Sequence, residues 1–321
     1  MKNKFVLFAS IALLSLSSCG SGNHYEASEY VLNYEYKDGF KILQLTDTHI
    51  ADKDEQDTQF AFLDSIIKSA RADMIIVTGD LFTFASKATA KRYFDFLDSH
   101  GIPWTVTFGN HDEQCYFSID WMTKTLNNYG SHCLFKDIQD DDVNGNSNFA
   151  INLTKDGAIK EQLIIMDSNR YTYGEYNGYD YFKKNQIDWY KDLVDYTTSQ
   201  NNGTVVPSMM FYHIPLPEID AAWDTGTDKI GEKRENTCPP EYNSGFFKVI
   251  KEKGSTHAMF FGHDHRNNFH VTYEGIIFAY GLKSDNRIYY DGDMLGGQII
   301  TINSPGNITI SQIVNSYGEA K

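Results

Sequence analysis

Five polar motifs each follow a short apolar run in this 321-residue chain. The apolar runs are residues 40–45, 74–78, 104–108, 208–212 and 257–261. The motifs are Asp47-Thr48-His49, Gly79-Asp80, Gly109-Asn110-His111-Asp112, His213 and Gly262-His263-Asp264-His265. Ligands bind outside the carboxyl ends of the strands in an open α/β sheet, so these side chains are expected to converge. Their imidazole, carboxylate and amide donors, without any thiolate, suit Mn, Fe or Zn.

Each motif taken alone has an ordinary structural explanation. An Asp-x-His segment after a strand fits a helix N-cap followed by a turn, and Gly79-Asp80 fits turn chemistry. A single His213 carries little weight. His263 and His265 are stronger, because alternate residues of an extended segment point to the same side. The ordered set of five at strand ends therefore predicts one shared metal site.

This convergence requires the apolar runs to be strands of a mostly parallel sheet. Residues 40–45, 74–78 and 104–108 are short and β-branched, and helical apolar spacing lies between them, which predicts a βαβαβ start. Further strands are predicted at 163–166, 208–212 and 257–261, further helices at 185–196 and 242–251, and short antiparallel strands over 269–313. A single α/β domain over residues 37–316 is the simplest interpretation.

The composition excludes some classes of protein. The chain is 41% hydrophobic and 14% aromatic, which excludes a disordered or fibrous protein. Its formal net charge of −15 argues against a nucleic acid polymer as partner. A phosphorylated small molecule stays open as substrate, because bound metal can supply local positive charge.

The first residues have the pattern of a secretion signal. Lys2 and Lys4 precede an apolar run too short to span a bilayer, and Leu16-Ser17-Ser18-Cys19 resembles a bacterial lipobox. We expect a lipoprotein signal peptide over 1–18, lipidation at Cys19 and a tether over 19–36. The protein would then be lipid-anchored to a bacterial membrane in the cell envelope, on its periplasmic or cell-surface face. The alternative is an ordinary signal peptide in which Cys19 has no role.

The mature chain then keeps three cysteines, Cys115, Cys133 and Cys238. One disulfide with one free thiol is the expectation in an oxidising compartment, with Cys115 and Cys133 weakly favoured as the pair. Sequence alone leaves the connectivity open. No Cys/His spacing typical of a structural zinc site is present.

The ordered motif set resembles the calcineurin-like metallophosphoesterase superfamily over roughly residues 40–285. Residues 178–180, 211–218 and 243–247 further resemble the branch related to purple acid phosphatases. Purple enzymes bind ferric iron through the Tyr of a Gly-Asp-x-x-Tyr motif, whereas this chain has Thr83 at that position and His49 as the replacing ligand. The resemblance implies an α/β/β/α sandwich, with two mixed sheets flanked by helices.

The resemblance also implies a site with two divalent metal ions bridged by Asp80. One ion would be bound by Asp47, His49 and His265, and the other by Asn110, His213 and His263. A bridging hydroxide would attack the phosphate ester. His111 would stabilise the transition state or protonate the leaving oxygen, and Asp112 would orient its imidazole. Asp264 would face away from the metal ions.

These features predict a metal-dependent phosphoesterase, most simply a phosphomonoesterase. Phosphodiesterase or nucleotide hydrolase activity is the neighbouring alternative, and a non-catalytic surface binding protein on the same fold is the second class. Arg170 or Arg234 are candidates to bind a phosphate oxygen. Residues 171–181 and 214–243 are candidates for the substrate rim. The oligomeric state stays open.

Overall fold

Two large β-sheets, a two-stranded ribbon and six α-helices position the predicted site in the computed structural model, which describes residues 25–52, 55–138 and 142–315. The helices are α1 (Gln56–Ala70), α2 (Lys87–Ser99), α3 (Ile119–Leu126), α4 (Lys184–Gln200), α5 (Ile219–Thr225) and α6 (Phe246–Lys253). The strands are β1 (Val31–Glu35), β2 (Phe40–Leu45), β3 (Met74–Thr78), β4 (Trp104–Thr107), β5 (Phe149–Lys155), β6 (Ala158–Ile165), β7 (Tyr171–Thr172), β8 (Gly178–Tyr179), β9 (Ser208–Phe211), β10 (Thr227–Ile230), β11 (Thr256–Phe261), β12 (His270–Tyr273), β13 (Ile276–Tyr280), β14 (Gly296–Ser304) and β15 (Asn307–Val314).

The first sheet has five strands in the order β15-β14-β2-β3-β4. The strands β2, β3 and β4 run parallel and are joined by α1 and α2, as the predicted βαβαβ start requires. The bounds of β2 and β3 are those predicted from their apolar runs. Every residue of β3 and β4 is buried, which explains why the sequence of each strand is almost continuously apolar or β-branched.

The second sheet has eight strands in the order β1-β5-β6-β9-β11-β13-β12-β10. Along β9 and the residue after it, Met209 and Phe211 face one hydrophobic core while Met210 and Tyr212 face another. The first core fills the space between the sheets and extends under α1, α2 and α3, and the second lies beneath α4, α5 and α6. The layers are therefore helix, sheet, sheet, helix, and the predicted α/β/β/α sandwich with two mixed sheets is confirmed.

The folded part begins before the predicted boundary at residue 37. Val31–Glu35 pairs in parallel with β5 as the edge of the eight-stranded sheet, so residues 31–36 are not tether. The sequence VLNYE mixes apolar and polar residues because an edge strand is only half buried, and it carries little signal. The predicted signal peptide and Cys19 lie outside the described residues.

The helix predicted over 242–251 begins later, at Phe246. Gly245 has a φ of 76°, a left-handed conformation outside the helix, and its amide donates to Asn243 Oδ1 in a turn. That turn takes the residues before Phe246 out of the helical pattern. Within the described residues, no helix combines the length and apolar character needed to cross a bilayer.

All three described cysteine thiols are free, so the expected pairing of Cys115 with Cys133 is wrong in this structure. The backbone of Cys133 forms an isolated β-bridge with that of Trp104 at the start of β4. Cys115 follows the turn of residues 112–114 beyond the other end of that strand. The length of the strand separates the two sulfurs by more than a disulfide can span.

Candidate metal centre

The seven predicted metal ligands converge at the carboxyl ends of five parallel strands. Asp47 and His49 follow β2, Asp80 follows β3 and Asn110 follows β4, while the remaining three histidines follow β9 and β11. The seven residues are Asp47, His49, Asp80, Asn110, His213, His263 and His265, and none is more than 6% exposed. So many buried polar groups at one place require partners, because an unpaired buried polar group is costly.

Asp47, His49 and His265, which we call the Asp47 group, lie in contact with Asp80. One ligand atom from each of these four residues falls within 4.8 Å of all the others. His49 Nε2 lies 3.1 Å from His265 Nε2, and His265 Nε2 lies 3.4 Å from Asp47 Oδ1. Two imidazoles and two carboxylates that meet this closely suit a divalent cation of the Mn, Fe or Zn kind.

Asn110, His213 and His263, which we call the Asn110 group, lie on the other side of Asp80. Asn110 Oδ1 and His263 Nε2 are shielded from solvent and lack a hydrogen-bond partner, and His213 Nε2 is shielded from solvent beside the Asp80 carboxylate. Asp80 Oδ2 lies 3.8 Å from His49 Nε2 and 3.2 Å from His213 Nε2, so Asp80 contacts both groups. The donor atoms on both sides of Asp80 therefore fit bound cations.

Hydrogen bonds on the far side of three imidazoles fix which nitrogen faces the cluster. His213 Nδ1 lies 2.9 Å from the carbonyl oxygen of Thr78, and His265 Nδ1 lies 2.9 Å from that of Tyr289. A carbonyl oxygen only accepts, so both Nδ1 atoms carry hydrogen and Nε2 is the nitrogen that each ring presents to the cluster. His49 Nδ1 lies 2.8 Å from Thr83 Oγ1, a hydroxyl that can accept its hydrogen. Such outer contacts orient metal-binding histidines.

The backbone is bent sharply at these strand ends. Asp47, His49, Asp80 and His263 all have left-handed backbone conformations, with φ between 43° and 80°. Residues other than glycine rarely adopt this conformation, and it is concentrated at functional sites. A Cβ atom on Gly79 would lie 2.6 Å from the His213 side chain, so only glycine leaves room for this imidazole.

Burial keeps three of the imidazoles neutral. Burial and the nearby Lys283 lower the pKa of His49 and of His265, and burial with the adjacent His213 lowers the pKa of His263 to about 3. Burial also opposes charge on Asp80 and His213, but their mutual attraction outweighs it. This attraction lowers the pKa of Asp80 and raises the pKa of His213. Three neutral imidazoles and an ionised carboxylate are the forms that bind a cation.

His111 lies beside the cluster, but its orienting partner is Gln114 instead of the expected Asp112. His111 Nδ1 lies 2.8 Å from Gln114 Oε1, and the backbone amide of His111 donates to Asp80 Oδ1. The two carboxylate oxygens of Asp112 accept instead from the amides of Phe82 and Gly109. Asp112 thus fixes the turn after β4, and the role predicted for it at the His111 ring is wrong.

Arg234 was a candidate for phosphate binding, but its guanidinium is already occupied. It pairs through two nitrogens with Asp293 and through Nε with Glu232. Arg170 differs, because its Nη2 is shielded from solvent without a hydrogen-bond partner, while its Nε lies 3.7 Å from Glu113 Oε2 in an ion pair. It stands beside Tyr171, whose hydroxyl contacts Asn110. Of the two predicted arginines, Arg170 is the one that keeps a free donor near the centre.

Asp264 lies behind the ligands, as expected for a residue that faces away from the cluster. Its carboxylate accepts hydrogen bonds from the Tyr280 hydroxyl and the Cys238 amide. Burial raises the pKa of Asp264 to about 7. These contacts tie the loop after β11 to β13 and to residue 238.

The sequence motifs do not identify three tyrosines and one lysine that lie at the metal centre. Tyr171 lies 2.9 Å from Asn110 Nδ2 through its hydroxyl, and the Tyr179 ring packs edge-on against His263. The Tyr289 ring stacks on His265. The buried Lys283 donates from Nζ to the carbonyl oxygen of Asp47. Lys283 follows β13, so the strand-end rule applied to that strand would have found it.

Comparison with known proteins agrees with this architecture. The chain belongs to the calcineurin-like phosphoesterase family, whose model matches residues 40–267. A protein of Arabidopsis thaliana named "Probable inactive purple acid phosphatase 14" is 28% identical over 317 residues, which cover 86% of this chain and 77% of that protein. The predicted resemblance to the purple acid phosphatase branch is therefore confirmed.

Two further similarities extend the comparison. "Phosphatase DCR2" of Saccharomyces cerevisiae is 28% identical over 268 residues, covering 72% of this chain and 44% of that protein. The crystal structure of a dimetal phosphatase from Danio rerio superposes with a TM-score of 0.56 at 14% identity, covering 87% of this chain and 100% of that one. At this identity the second similarity concerns the fold.

Proposed function

We propose that this protein is a metal-dependent phosphoesterase that hydrolyses phosphomonoesters at a centre of two divalent ions. The observation that carries the proposal is the position of Asp80, whose Oδ2 contacts His49 on one side and His213 on the other. The Asp47 group and the Asn110 group would each hold one ion, of the Mn, Fe or Zn kind. Membership of the phosphoesterase family supports a reaction at phosphate esters.

The charge of the site supports an anionic substrate. Two divalent ions would bring four positive charges to a cluster that contains two carboxylates, Asp47 and Asp80, and otherwise neutral ligands. A positive surplus would remain at the centre, although the whole chain has a net charge of −15. Two bound metal ions would activate the phosphate as an electrophile and would supply a nucleophile at neutral pH. A phosphorylated small molecule fits this charge better than a nucleic acid polymer.

His111 is placed to handle a proton at the leaving group. The Gln114 carbonyl oxygen holds the hydrogen of His111 Nδ1, so a proton gained or lost by this ring is carried at Nε2. The ring packs edge-on against His49, with 5.3 Å between the ring centroids. His111 is only partly buried, in contrast to the seven ligands, and can meet a substrate that enters the site. General acid catalysis from Nε2 follows from this arrangement.

The test compares two esters and two histidine variants. The purified protein is loaded with Mn²⁺ and assayed on p-nitrophenyl phosphate and on bis(p-nitrophenyl) phosphate. We expect faster turnover of the monoester, and a loss of roughly 10²- to 10⁴-fold in kcat for His111→Ala with metal content unchanged. His132→Ala, a change of an imidazole that contacts Asp98 away from the centre, should match the wild-type protein.

Each outcome bears on a different part of the proposal. A metal-loaded protein that turns over neither ester, nor a broader panel of phosphate esters, would overturn the enzymatic function. Faster turnover of the diester would replace the monoesterase by a phosphodiesterase. Unchanged kcat in His111→Ala would remove this residue from the reaction.

The second candidate function is binding without turnover. It is favoured by the names of the plant relatives, which are called probable inactive purple acid phosphatases. The complete set of seven donor residues and His111 in this chain supports catalysis instead. The same assay separates the two, because a binding protein would take up metal and phosphate esters without releasing nitrophenol.

We further propose that the protein is a lipoprotein of a bacterial cell envelope, anchored through Cys19. The lipobox-like Leu16-Ser17-Ser18-Cys19 supports this assignment. Cys19→Ser should move the protein from the membrane fraction to the soluble fraction of the cells that produce it. Digestion of intact cells with a protease would show which membrane face it occupies. A wild-type protein that fractionates as soluble would overturn the anchor.

A further inference from the structure

A cavity of about 860 Å³ opens next to the Asp47 group. His49 and Thr83 line its inner end, and these are the two residues joined by the hydrogen bond to His49 Nδ1. The volume lies within the range of roughly 300 to 1,000 Å³ that is typical of small-molecule sites. The cavity therefore adjoins the metal centre through the His49 ring, and we call it the Phe84 cavity after a residue of its outer wall.

The outer wall of the Phe84 cavity consists of exposed apolar side chains. Phe84 is 57% exposed, Tyr116 is 71% exposed and Ile288 is 55% exposed, and all three line this one cavity. Large apolar side chains are rarely left in water together unless they form a binding surface. Phe84 and Ile288 also have left-handed backbone conformations, with φ of 51° and 68°. For the β-branched Ile288 this is a genuine outlier, of the kind found at ligand sites.

The inner segments of this wall are joined to each other by hydrogen bonds. The amide of Thr83 donates to Ile50, and the amide of Tyr116 donates to Ala85, both through backbone carbonyl oxygens. The amide and hydroxyl of Ser86 both donate to Asp52 Oδ1. The loops after β2 and β3 and the segment before α3 therefore form one preformed wall. A preformed site binds with less loss of conformational entropy than a mobile one.

The polar residues of the cavity indicate what kind of group it would take. Among the lining residues that the structure describes, Arg287 provides one positive charge, while Asp52 and Glu55 provide two negative charges. Asp52 is committed to Ser86, and Arg287 has an Nε and an Nη2 that are shielded from solvent without any hydrogen-bond partner. A second phosphate would meet a wall of net negative charge. A neutral ring with an acceptor atom would satisfy Arg287 and cover the apolar side chains.

On the basis of the function proposed above, we propose that the Phe84 cavity binds the organic group of the substrate. The preferred substrates would be phosphate monoesters of bulky aromatic alcohols that carry no further charge. Phe84, Tyr116 and Ile288 would pack against the ring and Arg287 would donate to its acceptor atoms. The tyrosine-rich segment of residues 171–179, on the Asn110 side, would not contact the organic group.

The experiment measures how a cavity substitution changes the preference between a small and a large aromatic ester. KM for phenyl phosphate and for 1-naphthyl phosphate is determined with the Mn²⁺-loaded wild-type protein and with Tyr116→Ala, Phe84→Ala and Tyr173→Ala. Tyr173 is 84% exposed, in the loop between β7 and β8, and serves as the matched control. The intrinsic reactivity of each ester cancels when each variant is compared with wild type on the same ester.

We expect Tyr116→Ala and Phe84→Ala to raise KM for 1-naphthyl phosphate by about three- to tenfold, the usual worth of one aromatic contact. KM for phenyl phosphate should change less, and Tyr173→Ala should change neither. Adenosine 5′-diphosphate should have a higher KM than adenosine 5′-monophosphate, because its organic group carries a second phosphate. A naphthyl effect in Tyr173→Ala alone, or in none of the variants, would overturn the assignment of the cavity. A lower KM for the diphosphate would overturn the requirement for an uncharged organic group.

A binding measurement separates this proposal from the proposed activity. Quenching of protein fluorescence by 1-naphthyl phosphonate, which has no ester bond to hydrolyse, reports occupancy without turnover. Weaker binding in Tyr116→Ala than in Tyr173→Ala would support the Phe84 cavity even if no ester is hydrolysed. Equal binding by both variants, in a protein that does hydrolyse phosphate esters, would overturn the cavity and leave the activity intact.

Discussion

The two sides of the metal centre share Asp80 but are built differently. In the Asp47 group, the ligand atoms contact one another directly, with 3.1 Å between His49 Nε2 and His265 Nε2. In the Asn110 group, Asn110 Oδ1 and His263 Nε2 are buried without any hydrogen-bond partner. The outer contacts differ as well, because Thr83 supports His49 from the loop after β3, whereas Tyr171 supports Asn110 from the short two-stranded ribbon of β7 and β8.

This difference shows which parts of the chain support each side of the metal centre. The ligands of both groups follow strands of the sandwich, and Thr83, which supports His49 in the Asp47 group, is itself fixed by the bond of its amide to the Ile50 carbonyl oxygen. The Asn110 group depends in addition on the ribbon that carries Tyr171, which is paired only with itself. A site placed on rigid elements is more exactly formed than one that needs a loop. We therefore expect tighter metal binding at the Asp47 group.

The largest effect is expected from Asp80→Asn, because Asp80 contacts both sides. Loss of its charge should lower metal content on both sides and reduce turnover by more than about a hundredfold, beyond the usual cost of losing an outer contact. Metal content by atomic emission and kcat on p-nitrophenyl phosphate check this. Asp38→Asn, at an exposed carboxylate paired with Lys155, is the control. A variant that retains two equivalents of metal would show that Asp80 does not join the sides.

Thr83→Val tests the Asp47 group alone. Valine keeps the shape of Thr83 but removes the acceptor for His49 Nδ1, so affinity for one equivalent of metal should fall by about 10- to 100-fold. Thr83→Ser keeps the hydroxyl and should bind like the wild-type protein. Titration calorimetry with Mn²⁺ resolves the two equivalents. Equal weakening of both would contradict the independence of the two sides.

Tyr171→Phe tests the Asn110 group in the same way, with a smaller expected effect. The ring and its stacking on Tyr179 remain, while the hydroxyl contact with Asn110 Nδ2 is lost. Affinity for the weaker equivalent of metal should fall by about tenfold, the lower end for such contacts. Tyr173→Phe, a neighbouring exposed tyrosine, controls for the substitution. If the more tightly bound equivalent of metal weakens instead, then the Asn110 group and not the Asp47 group binds metal more tightly.

The smallest effect is expected from Arg234→Gln, because Arg234 contacts neither side of the metal centre. Its guanidinium is paired with Asp293 and Glu232 in an exposed position, where such pairs contribute little. KM and kcat for a phosphate ester should stay within about twofold of wild type, as for most surface substitutions. A tenfold rise in KM would restore Arg234 as a phosphate ligand. Arg170→Gln provides the comparison, because Arg170 Nη2 has no hydrogen-bond partner.

Local sequence patterns predicted the strand ends that position the metal ligands. They did not predict the contacts that support those ligands from outside the cluster. Residues 40–45 and 74–78 form the predicted strands because both are buried on two sides and need continuous apolar sequence. The gathering of ligands followed from parallel strands ending at one edge. The contact of Tyr171 with Asn110 joins residues 61 positions apart, and that of Lys283 with Asp47 joins residues 236 positions apart. Such pairs depend on tertiary packing, which a local pattern does not encode.

The error at Asp112 has a local cause. A carboxylate next to His111 in sequence was expected to contact its ring, yet the turn after β4 directs Asp112 inward to the amides of Phe82 and Gly109. Gln114, two residues further along, then reaches the imidazole. Sequence adjacency predicts proximity of the backbone, while the direction of a side chain depends on the φ and ψ angles of the turn.

The left-handed backbone at Asp47, His49, Asp80 and His263 has a consequence for the life of the protein before it meets metal. Each such conformation is costly, and the carboxylates of Asp47 and Asp80 are buried with ligand atoms within 4.8 Å of each other. The newly folded chain is therefore less stable than the loaded one, since a ligand that binds only the folded state stabilises it. Metal supply would then govern how long the protein persists, and the melting temperature would serve as a gauge of how fully its centre is loaded.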